Sequence, residues 1–556
     1  MRLINAHSLK LEDFRSAADA PEYAVLSHTW GEAEPNFTEW NSYLTRLRKA
    51  KQPGFAKVYA ACKQARRDKI SHVWVDTICI DKSSSAELSE AINSMYFWYQ
   101  SSKLCYAYLK DVSGTPSDQT DPLDLFKRSR WFTRGWTLQE LLAPGNVVFF
   151  TQSWTVLGTR NALASTIAAV TGIDQRCLTK EIKLRNYSVA QRMSWAANRS
   201  TTREEDIAYC LLGIFRINMP LVYGEGLRAF RRLQEEIIRT YDDQSILAFD
   251  NTLSKNSVLA DHPRLFHDAG QIQPNFAPRI TPPFSMTNAG MAIRTPLILT
   301  LSPFWVLAVL NCIEMHAKGG VQKSQICLPL FGKDGTFMRA RAPVHLIRRA
   351  LTDAKPGVMS DISDLATTTN AEYLISYFTR VYPVFGNELD PALNGFDTDE
   401  ALPSGFMLTF PRGMGDWHLR EAYPKDALQR ETSFFVPTVS HSGQSFPHGV
   451  LVFENDTFTP PSRIGIYLAH TMDIAEDGGS WMCQITPVLD AAEELYKVCN
   501  NQWLFEEVPE KWPHYHCVNN FIVAARTQFS YGTPERQVVM VEMVFDADAL
   551  LRERGL

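Results

Sequence analysis

The spacing of apolar residues divides the chain into regions of different periodicity. In the first region, residues 1–155, short apolar runs alternate with segments in which apolar residues recur every three or four positions. The runs predict strands and the recurring positions predict helices. The predicted strands are 23–30, 72–80, 104–112 and 146–150, and the predicted helices are 54–68, 86–101 and 124–142. This alternation predicts an α/β domain with a mostly parallel sheet flanked by helices.

The strand pattern fades after the first region. Residues 156–244 contain four segments with helical periodicity and are predicted to form a helical extension. Residues 245–556 contain many short apolar runs broken by Pro, Gly and Asn, which predicts a β-rich C-terminal domain. Within it, the apolar run 295–313 is interrupted by Ser302 and Pro303. Two strands joined by a turn explain this run better than a membrane span, which needs ~20 mainly apolar residues.

Composition excludes several classes of partner and chemistry. The net charge of −5 provides no positive surface for nucleic acid or for an anionic membrane. The ten cysteines are scattered and mostly lie in apolar runs, which predicts reduced thiols in a cytoplasmic protein. His and Cys residues lack regular metal-ligand spacing, so no metal site is predicted. Neither a Walker motif nor a nucleophile elbow is present in the sequence.

Acidic residues crowd a single predicted strand–turn–helix unit. Asp76 lies inside the predicted strand and Asp81 follows it directly. A carboxylate within an apolar strand must be paired or hydrogen-bonded. In the following helix, Ser84 and Glu87 match a capping box, in which each satisfies a backbone amide of the helix end. At about 100° per residue, Glu90 points nearly opposite the apolar face of this helix.

Two interpretations of these carboxylates remain open. In the structural interpretation, Glu87 caps the helix, Glu90 is solvated and Asp81 ends a strand. In the functional interpretation, the unit lines a binding site, because ligands of open α/β sheets bind beyond the carboxyl ends of the strands. A helix that begins at this edge can contribute its first side chains to such a crevice.

Several segments, in the right order, resemble the heterokaryon incompatibility (HET) domain of fungi. They are YAVLSHTWGE (23–32), the stretch from VWVDTICIDK to SMYFWY (73–99), RGWTLQELLAP (134–144) and the stretch from YSVAQRMSW to RRLQEEI (187–237). The resemblance covers about residues 1–245. It implies a role in nonself recognition, in which fused fungal cells arrest or die after contact with a nonself partner protein.

The HET domain is in turn considered similar to TIR domains, which implies a TIR-like, flavodoxin-like sheet. Many TIR domains cleave the nicotinamide–ribose bond of NAD with a glutamate early in a helix that follows a strand. By this resemblance Glu90 is the first catalytic candidate and Glu87 the second, with NAD as substrate rather than cofactor. The candidate substrate-binding residues are Asp76, Asp81, Trp30, Trp74 and Arg134.

Each of these binding candidates also has a structural interpretation. The carboxylates Asp76 and Asp81 would orient ribose hydroxyls, and Trp30 or Trp74 would stack on a ring of the nucleotide. Aromatic side chains also dominate protein cores, so both rings are candidates for the core. The guanidinium of Arg134 would hold a phosphate through two hydrogen bonds, or would form a structural ion pair.

Two functions from different classes follow from the sequence. The first is a toxic enzyme, an NAD glycohydrolase that releases nicotinamide and leaves an ADP-ribose product. The second is a death-signalling module that acts by self-assembly, without catalysis. Both predict a homo-oligomer and toxicity, and the release of nicotinamide from NAD separates them.

Overall fold

The computed structural model describes most of the N-terminal half of the chain and separate segments of the remainder. The described residues are 1–31, 33–113, 121–251, 258–274, 284–299, 305–316, 322–333, 336–339, 345–348, 373–376, 405–408, 417–423, 428–429, 434–435, 448–471, 480–487, 515–518, 521–533 and 536–544. The chain divides into two units. The first comprises Met1–Ile246 and Leu259–Gly270, and the second comprises Leu247–Val258 and Gln271–Leu556.

A seven-stranded sheet forms the centre of the first unit. Its strands are β1 (Arg2–Asn5), β2 (Leu11–Asp13), β3 (Tyr23–His28), β4 (His72–Trp74), β5 (Leu104–Tyr108), β6 (Val147–Phe150) and β7 (Val156–Thr159). They lie in the order β2-β1-β4-β3-β5-β6-β7. The four neighbours β4, β3, β5 and β6 pair in parallel, whereas the outer pairs are antiparallel. Because β2 is antiparallel to β1, and β1 to β4, five of the seven strands run in one direction.

The order of the four parallel strands reverses at β3. The chain passes from β3 to β4 on one side and then to β5 on the other side. This is the 2-1-3-4 arrangement of flavodoxin-like sheets, in which ligands bind where the strand order reverses. His28 is the last residue of β3 and therefore lies at this position. The predicted α/β class with a mostly parallel sheet is confirmed.

Helices connect and cover the strands of the first unit. They are α1 (Phe37–Asn41), α2 (Tyr43–Lys49), α3 (Pro53–Arg67), α4 (Asp76–Cys79), α5 (Ser85–Ser101), α6 (Pro122–Lys127), α7 (Thr137–Leu142), α8 (Ala164–Thr171), α9 (Gln175–Leu178), α10 (Val189–Ser194), α11 (Asp206–Tyr209), α12 (Leu212–Phe215) and α13 (Arg228–Thr240). Short 3-10 helices lie at Arg130–Thr133, Leu184–Asn186, Gln244–Leu247, Pro263–Phe266 and Ala269–Gln271. Helix α3 begins at a proline, and α5 begins after Ser84, whose hydroxyl accepts from the Glu87 amide.

The predicted strand 72–80 is wrong beyond its third residue. Strand β4 ends at Trp74, and Asp76–Cys79 form the single turn α4, closed by hydrogen bonds from the amides of Ile78 and Cys79 to the Val75 carbonyl. A short apolar run has the same composition in a buried strand and in a buried helical turn, so periodicity alone does not separate them. The turn places Asp76 at the edge of the sheet instead of inside a strand.

The predicted helix 124–142 is also divided. Helix α6 ends at Lys127, a 3-10 turn covers Arg130–Thr133, and α7 follows after Gly135, whose amide donates to the Ser200 carbonyl. In α7 the polar residues Gln139 and Glu140 are buried. The neighbouring elements surround α7, so its polar side chains have partners inside the fold.

The described part of the second unit is built of strands. They are β8 (Ile272–Pro274), β9 (Ser285–Met286), β10 (Gly290–Ile293), β11 (Leu297–Leu299), β12 (Trp305–His316), β13 (Gln322–Lys333), β14 (Thr336–Arg339), β15 (His345–Arg348), β16 (Tyr373–Ser376), β17 (Gly405–Leu408), β18 (Trp417–Tyr423), β19 (Leu428–Gln429), β20 (Phe434–Phe435), β21 (His448–Asn455), β22 (Ser462–Thr471), β23 (Ser480–Pro487), β24 (Tyr515–Val518), β25 (Phe521–Thr533) and β26 (Arg536–Val544). They form sheets of nine, six and four strands. This confirms the predicted β-rich C-terminal region.

Two of these strands, β11 and β12, contain most of the described part of the apolar run 295–313, and they pair antiparallel as predicted. The interruption at Ser302 and Pro303 lies outside the described residues. Among the residues that the structure describes, none of the helices combines the length and the apolar character that crossing a membrane requires.

Candidate active site

The candidate site is centred on His28, at the carboxyl end of β3. Its side chain is 1% exposed, and neither ring nitrogen meets hydrogen-bond geometry with a described residue, although the Leu26 backbone lies near enough to the ring to oppose the lowering of its pKa. Burial lowers the pKa of His28 well below its ordinary value, and the positive charges of Lys57, Arg134 and Lys82 lower it further. The imidazole is therefore neutral at physiological pH, with one nitrogen that donates and one that accepts.

Two carboxylates face the same edge of the His28 ring. The Nε2 atom lies 3.6 Å from Oε2 of Glu34 and 3.9 Å from Oδ1 of Asp76. Both distances exceed that of a hydrogen bond. Glu34 belongs to the loop after β3, and Asp76 is the first residue of α4. The Oε2 atom of Glu34 is buried and, like both nitrogens of His28, has no hydrogen-bond partner in the described structure. Three buried polar atoms, Nδ1 and Nε2 of His28 and Oε2 of Glu34, therefore have unused hydrogen-bonding capacity.

Lys57 holds Glu34 in this position. Its Nζ lies 2.6 Å from the other carboxylate oxygen, Oε1, which also accepts from the amide of Gly31 at 2.7 Å. The Lys57 side chain is 6% exposed, and burial lowers its pKa, opposed by the charge of Glu34. The ion pair fixes Oε1 of Glu34 and leaves Oε2 turned towards His28.

Asp76 is held by an exposed tryptophan. The indole Nε1 of Trp30 donates to Oδ2 of Asp76 at 2.9 Å, and Nζ of Lys82 lies 3.8 Å from the centre of the Trp30 ring. Trp30 is 48% exposed, whereas the Asp76 side chain is 21% exposed. Burial raises the pKa of Asp76, and Lys82 and the indole hydrogen bond oppose that rise. Asp76 therefore connects the buried His28 to the protein surface.

A second buried carboxyl group lies on the other face of β3. Successive side chains of a strand alternate, so Ser27 points away from the side of His28. The Ser27 hydroxyl donates to Glu140 of α7 and accepts from Nε1 of Trp131 at 2.8 Å. Burial raises the pKa of Glu140 to about 8, and the Ser27 hydrogen bond and the charge of Arg134 limit the rise. Glu140 is therefore largely protonated at neutral pH.

The structure brings together two of the five binding residues suggested by the sequence. Asp76 and Trp30 are hydrogen-bonded to each other. Arg134 acts electrostatically on both His28 and Glu140. Trp74 is fully buried and packs on Trp98 and Tyr99, so its ring presents no face to a ligand.

Asp81 and Glu87 have other partners. One oxygen of Asp81, Oδ1, accepts from the amide and the hydroxyl of Ser83. The Oε1 atom of Glu87 accepts from Nη1 of Arg2 at 2.9 Å and from the Asp81 amide at 2.7 Å. The Ser84 half of the predicted capping box forms, whereas the Glu87 carboxylate bonds to the Asp81 amide instead of the Ser84 amide. Glu87 thereby ties β1 to the start of α5.

Glu90 lies on the exposed face of α5. It takes part in none of the hydrogen bonds or ion pairs found within the described ranges, including those of the cluster around His28, which comprises His28, Glu34, Lys57, Asp76, Lys82 and Trp30. Its position agrees with the helical periodicity from which it was placed opposite the apolar face.

Sequence reasoning missed four residues of the cluster, which are His28, Glu34, Lys57 and Lys82. A signal for His28 was available, since it ends the first apolar strand and the crevice rule applies to that strand as well as to the next. Lys57 gave no such signal, because at about 100° per residue it lies about 160° from Phe55 and about 100° from Val58 on α3, and its burial comes from the tertiary structure. The partner, Glu34, is not identifiable from helical spacing.

Comparison with known proteins adds an independent result. The family model described as heterokaryon incompatibility protein (HET) matches residues 23–123. The chain carries a HET domain. All of the His28 cluster (His28, Glu34, Lys57, Asp76, Lys82 and Trp30) lies within the matched residues. A model described as a domain of unknown function, DUF8212, matches residues 228–282.

One relative extends the similarity beyond the HET domain itself. The chain is 48% identical over 221 residues to vegetative incompatibility protein HET-E-1 of Podospora anserina. The similarity covers 39% of this chain and 16% of the length of that relative. The comparison with solved structures found no match.

Proposed function

We propose that this chain is a cell-death effector of heterokaryon incompatibility, and that its HET domain cleaves the nicotinamide–ribose bond of NAD at the His28 cluster. The role in incompatibility is supported by the HET domain and by the similarity to a vegetative incompatibility protein. The observation that carries the enzymatic proposal is the buried imidazole of His28, whose Nε2 faces the carboxylates of both Glu34 and Asp76 without a hydrogen bond to either.

Unsatisfied polar atoms in a protein interior are costly, at about 1–3 kcal/mol each. Functional sites are where such a cost is tolerated, because a ligand supplies the missing partners. A ribose hydroxyl both donates and accepts. It therefore complements a neutral imidazole next to carboxylate oxygens, which is the combination formed by His28, Glu34 and Asp76.

The charge of the surroundings supports a ligand that carries phosphate. The site combines three cations with two carboxylates. The cations are Lys57, Lys82 and Arg134, and the carboxylates are Glu34 and Asp76. A lysine at the open side, such as Lys82 above the Trp30 ring, suits a diphosphate as a point charge. The exposed indole of Trp30 beside Asp76 supplies an apolar surface for a nicotinamide or adenine ring.

The proposed reaction requires a carboxylate to stabilise positive charge on the ribose, and it does not require a strong general acid to protonate the leaving group. The bond between C1′ of the ribose and the nicotinamide nitrogen breaks, and its electron pair returns to the ring, which leaves as neutral nicotinamide. The ribosyl centre becomes oxocarbenium-like and is stabilised by a nearby carboxylate. Water then adds to C1′ and loses a proton, which completes ADP-ribose.

Asp76 is the carboxylate that its contacts favour for this role. One oxygen is held by Trp30, the other faces His28, and the side chain reaches the surface. The assignment of Glu90 as catalytic, with Glu87 second, rests on the resemblance to TIR domains and is the alternative to Asp76 that the experiment below distinguishes. The TIR-like character of the domain and a homo-oligomeric state also stay predictions.

Purified full-length protein incubated with NAD provides the test, with nicotinamide measured by chromatography. We expect release by the parent protein, at a rate that is strongly reduced in Asp76→Asn and preserved in Glu90→Gln. If activity is lost in Glu90→Gln and retained in Asp76→Asn, we would infer that the catalytic carboxylate lies on α5. If the parent protein releases no nicotinamide at any concentration, including those at which it assembles, the non-enzymatic signalling module replaces the proposal.

A further inference from the structure

Helix α2 presents an unusual surface. Three of the large apolar side chains that are most exposed in the described structure lie on this helix of seven residues: Tyr43 at 64%, Leu44 at 63% and Leu47 at 57%. At about 100° per residue, Tyr43, Leu47, Leu44 and Arg48 follow one another around an arc of about 140°. All four are exposed. We call these four residues the α2 face.

The opposite side of α2 is attached to the rest of the unit. The Arg46 guanidinium donates to the carbonyl of Leu9 at 2.6 Å, and the Tyr59 hydroxyl donates to the carbonyl of Arg46 at 3.4 Å. The Ser42 hydroxyl accepts from the Thr45 amide and caps the helix. The helix is therefore anchored through its inner side, and its apolar side chains point outwards from a fixed support.

The charge near the α2 face differs from what the net charge of −5 predicts for the chain as a whole. Between Glu39 and Asp68 the sequence contains eight Lys and Arg residues and no Asp or Glu, although Lys49 is paired with Glu39 and Lys57 is buried against Glu34. Arg48 lies on the face itself and Lys51 follows the helix, and both are exposed. Positive charge next to protruding apolar side chains complements an anionic surface that also accepts apolar groups.

We propose that the α2 face docks on the surface of a membrane rich in anionic lipids. Apolar side chains would enter the boundary between headgroups and acyl chains, while Arg48 and Lys51 would contact the phosphates and carboxylates of the headgroups. The attachment is peripheral and needs no spanning segment. It is independent of the function proposed for the His28 cluster.

Vesicle sedimentation of the full-length protein tests this docking. One set of vesicles contains only phosphatidylcholine, and the other also contains phosphatidylserine. We expect binding to the anionic vesicles and none to the neutral ones. Leu44→Ser/Leu47→Ser should lower the bound fraction at least about tenfold, and Arg48→Glu/Lys51→Glu should do the same, because each pair supplies one of the two attractions.

A matched control uses an exposed apolar residue elsewhere in the unit. Val156 is 57% exposed on β7, so Val156→Ser should bind as the parent does. The substituted side chains are exposed, and thermal unfolding should stay unchanged in all variants. Equal binding of the parent and Leu44→Ser/Leu47→Ser, or no binding by the parent, overturns the proposal. If the leucine variant instead loses a concentration-dependent oligomer in light scattering while the parent ignores vesicles, the α2 face holds a second copy of the chain.

Discussion

Two carboxylate clusters of the HET domain differ in how fully the protein satisfies them. At the start of α5, Glu87 accepts from Arg2 and from the Asp81 amide, and Asp81 accepts twice from Ser83. At the end of β3, both nitrogens of His28 and one oxygen of Glu34 are buried without a hydrogen-bond partner among the described residues. Each cluster includes carboxylates from the same acidic stretch of sequence, Asp81 and Glu87 in the first and Asp76 in the second.

The difference separates structural carboxylates from those available to a ligand. When backbone amides and an arginine fill the capacity of a carboxylate, a ligand must break those bonds before it can bind. When a buried group lacks partners, it already destabilises the fold, and a ligand that supplies those partners binds without breaking existing hydrogen bonds. By this criterion the Glu87 cluster contributes stability, and the His28 cluster is the better candidate for chemistry.

The largest effect is expected from the buried ion pair of the His28 cluster. Lys57→Met leaves the Glu34 carboxylate buried without its counter-charge, so the free energy of unfolding should fall by about 3–5 kcal/mol. Chemical denaturation of the full-length protein measures this. The double variant Lys57→Met/Glu34→Gln removes the unpaired charge and should recover much of the loss. A loss below about 1 kcal/mol in the single variant would mean that the pair behaves as a surface salt bridge.

Asp76→Asn sharpens the comparison through activity. It keeps the shape of the side chain and removes the charge that we propose to stabilise the ribosyl centre, so nicotinamide release should fall about 10²-fold. Asp81→Asn is the matched control, because the Asp81 carboxylate serves a local turn with Ser83. It should cleave NAD at the parent rate. Similar rates in both variants would remove the distinction between the two clusters.

Glu140 predicts a pH dependence of stability. Its pKa is raised from 4.5 to about 8, so the folded state holds a proton that the unfolded state has released. The contribution of Glu140 to stability is complete below pH 4.5 and is lost as the pH rises to about 8, with a slope of at most ~1.4 kcal/mol per pH unit. Glu140→Gln, which stays neutral, should unfold with a weaker dependence on pH across this window.

Unfolding of the parent protein and Glu140→Gln at a series of pH values measures this difference. At the alkaline end of the window the variant should be the more stable of the two. Identical pH profiles would show that Glu140 titrates alike in the folded and unfolded chain.

The smallest effect is expected at the satisfied cluster. Glu87→Ala removes the bonds to Arg2 and to the Asp81 amide, so the free energy of unfolding should fall by about 1–2 kcal/mol. Glu90→Ala, on the same helix and exposed, should change it by less than about 0.5 kcal/mol. Nicotinamide release per folded molecule should remain at the parent level in both variants. Lost release in a fully stable Glu87→Ala protein would make Glu87 functional.

The architecture was largely accessible from the sequence, because it depends on local periodicity. The apolar runs at β3, β5 and β6 and the periodic face of α3 predicted an α/β domain, and the structure confirms that class. The prediction for 72–80 failed because burial on all sides erases the periodicity that separates a strand from a helix. The predicted helix 124–142 is divided where Ser129 and the Arg130 amide bond to Asp111, a contact that helical spacing does not reveal. There, the tertiary surroundings decided the local conformation.

The sequence by itself determined the α/β class of the first unit and the β-rich character of the second, and it pointed to Asp76 and Trp30 as candidate binding residues. Only the tertiary structure decided the partner of each charged group. The strand order places the end of β3 beside the start of α4, and α3 brings Lys57 to Glu34. Sequence spacing reports which side chains share one helix or strand, whereas the cost of burying a charge depends on partners that folding brings from other elements.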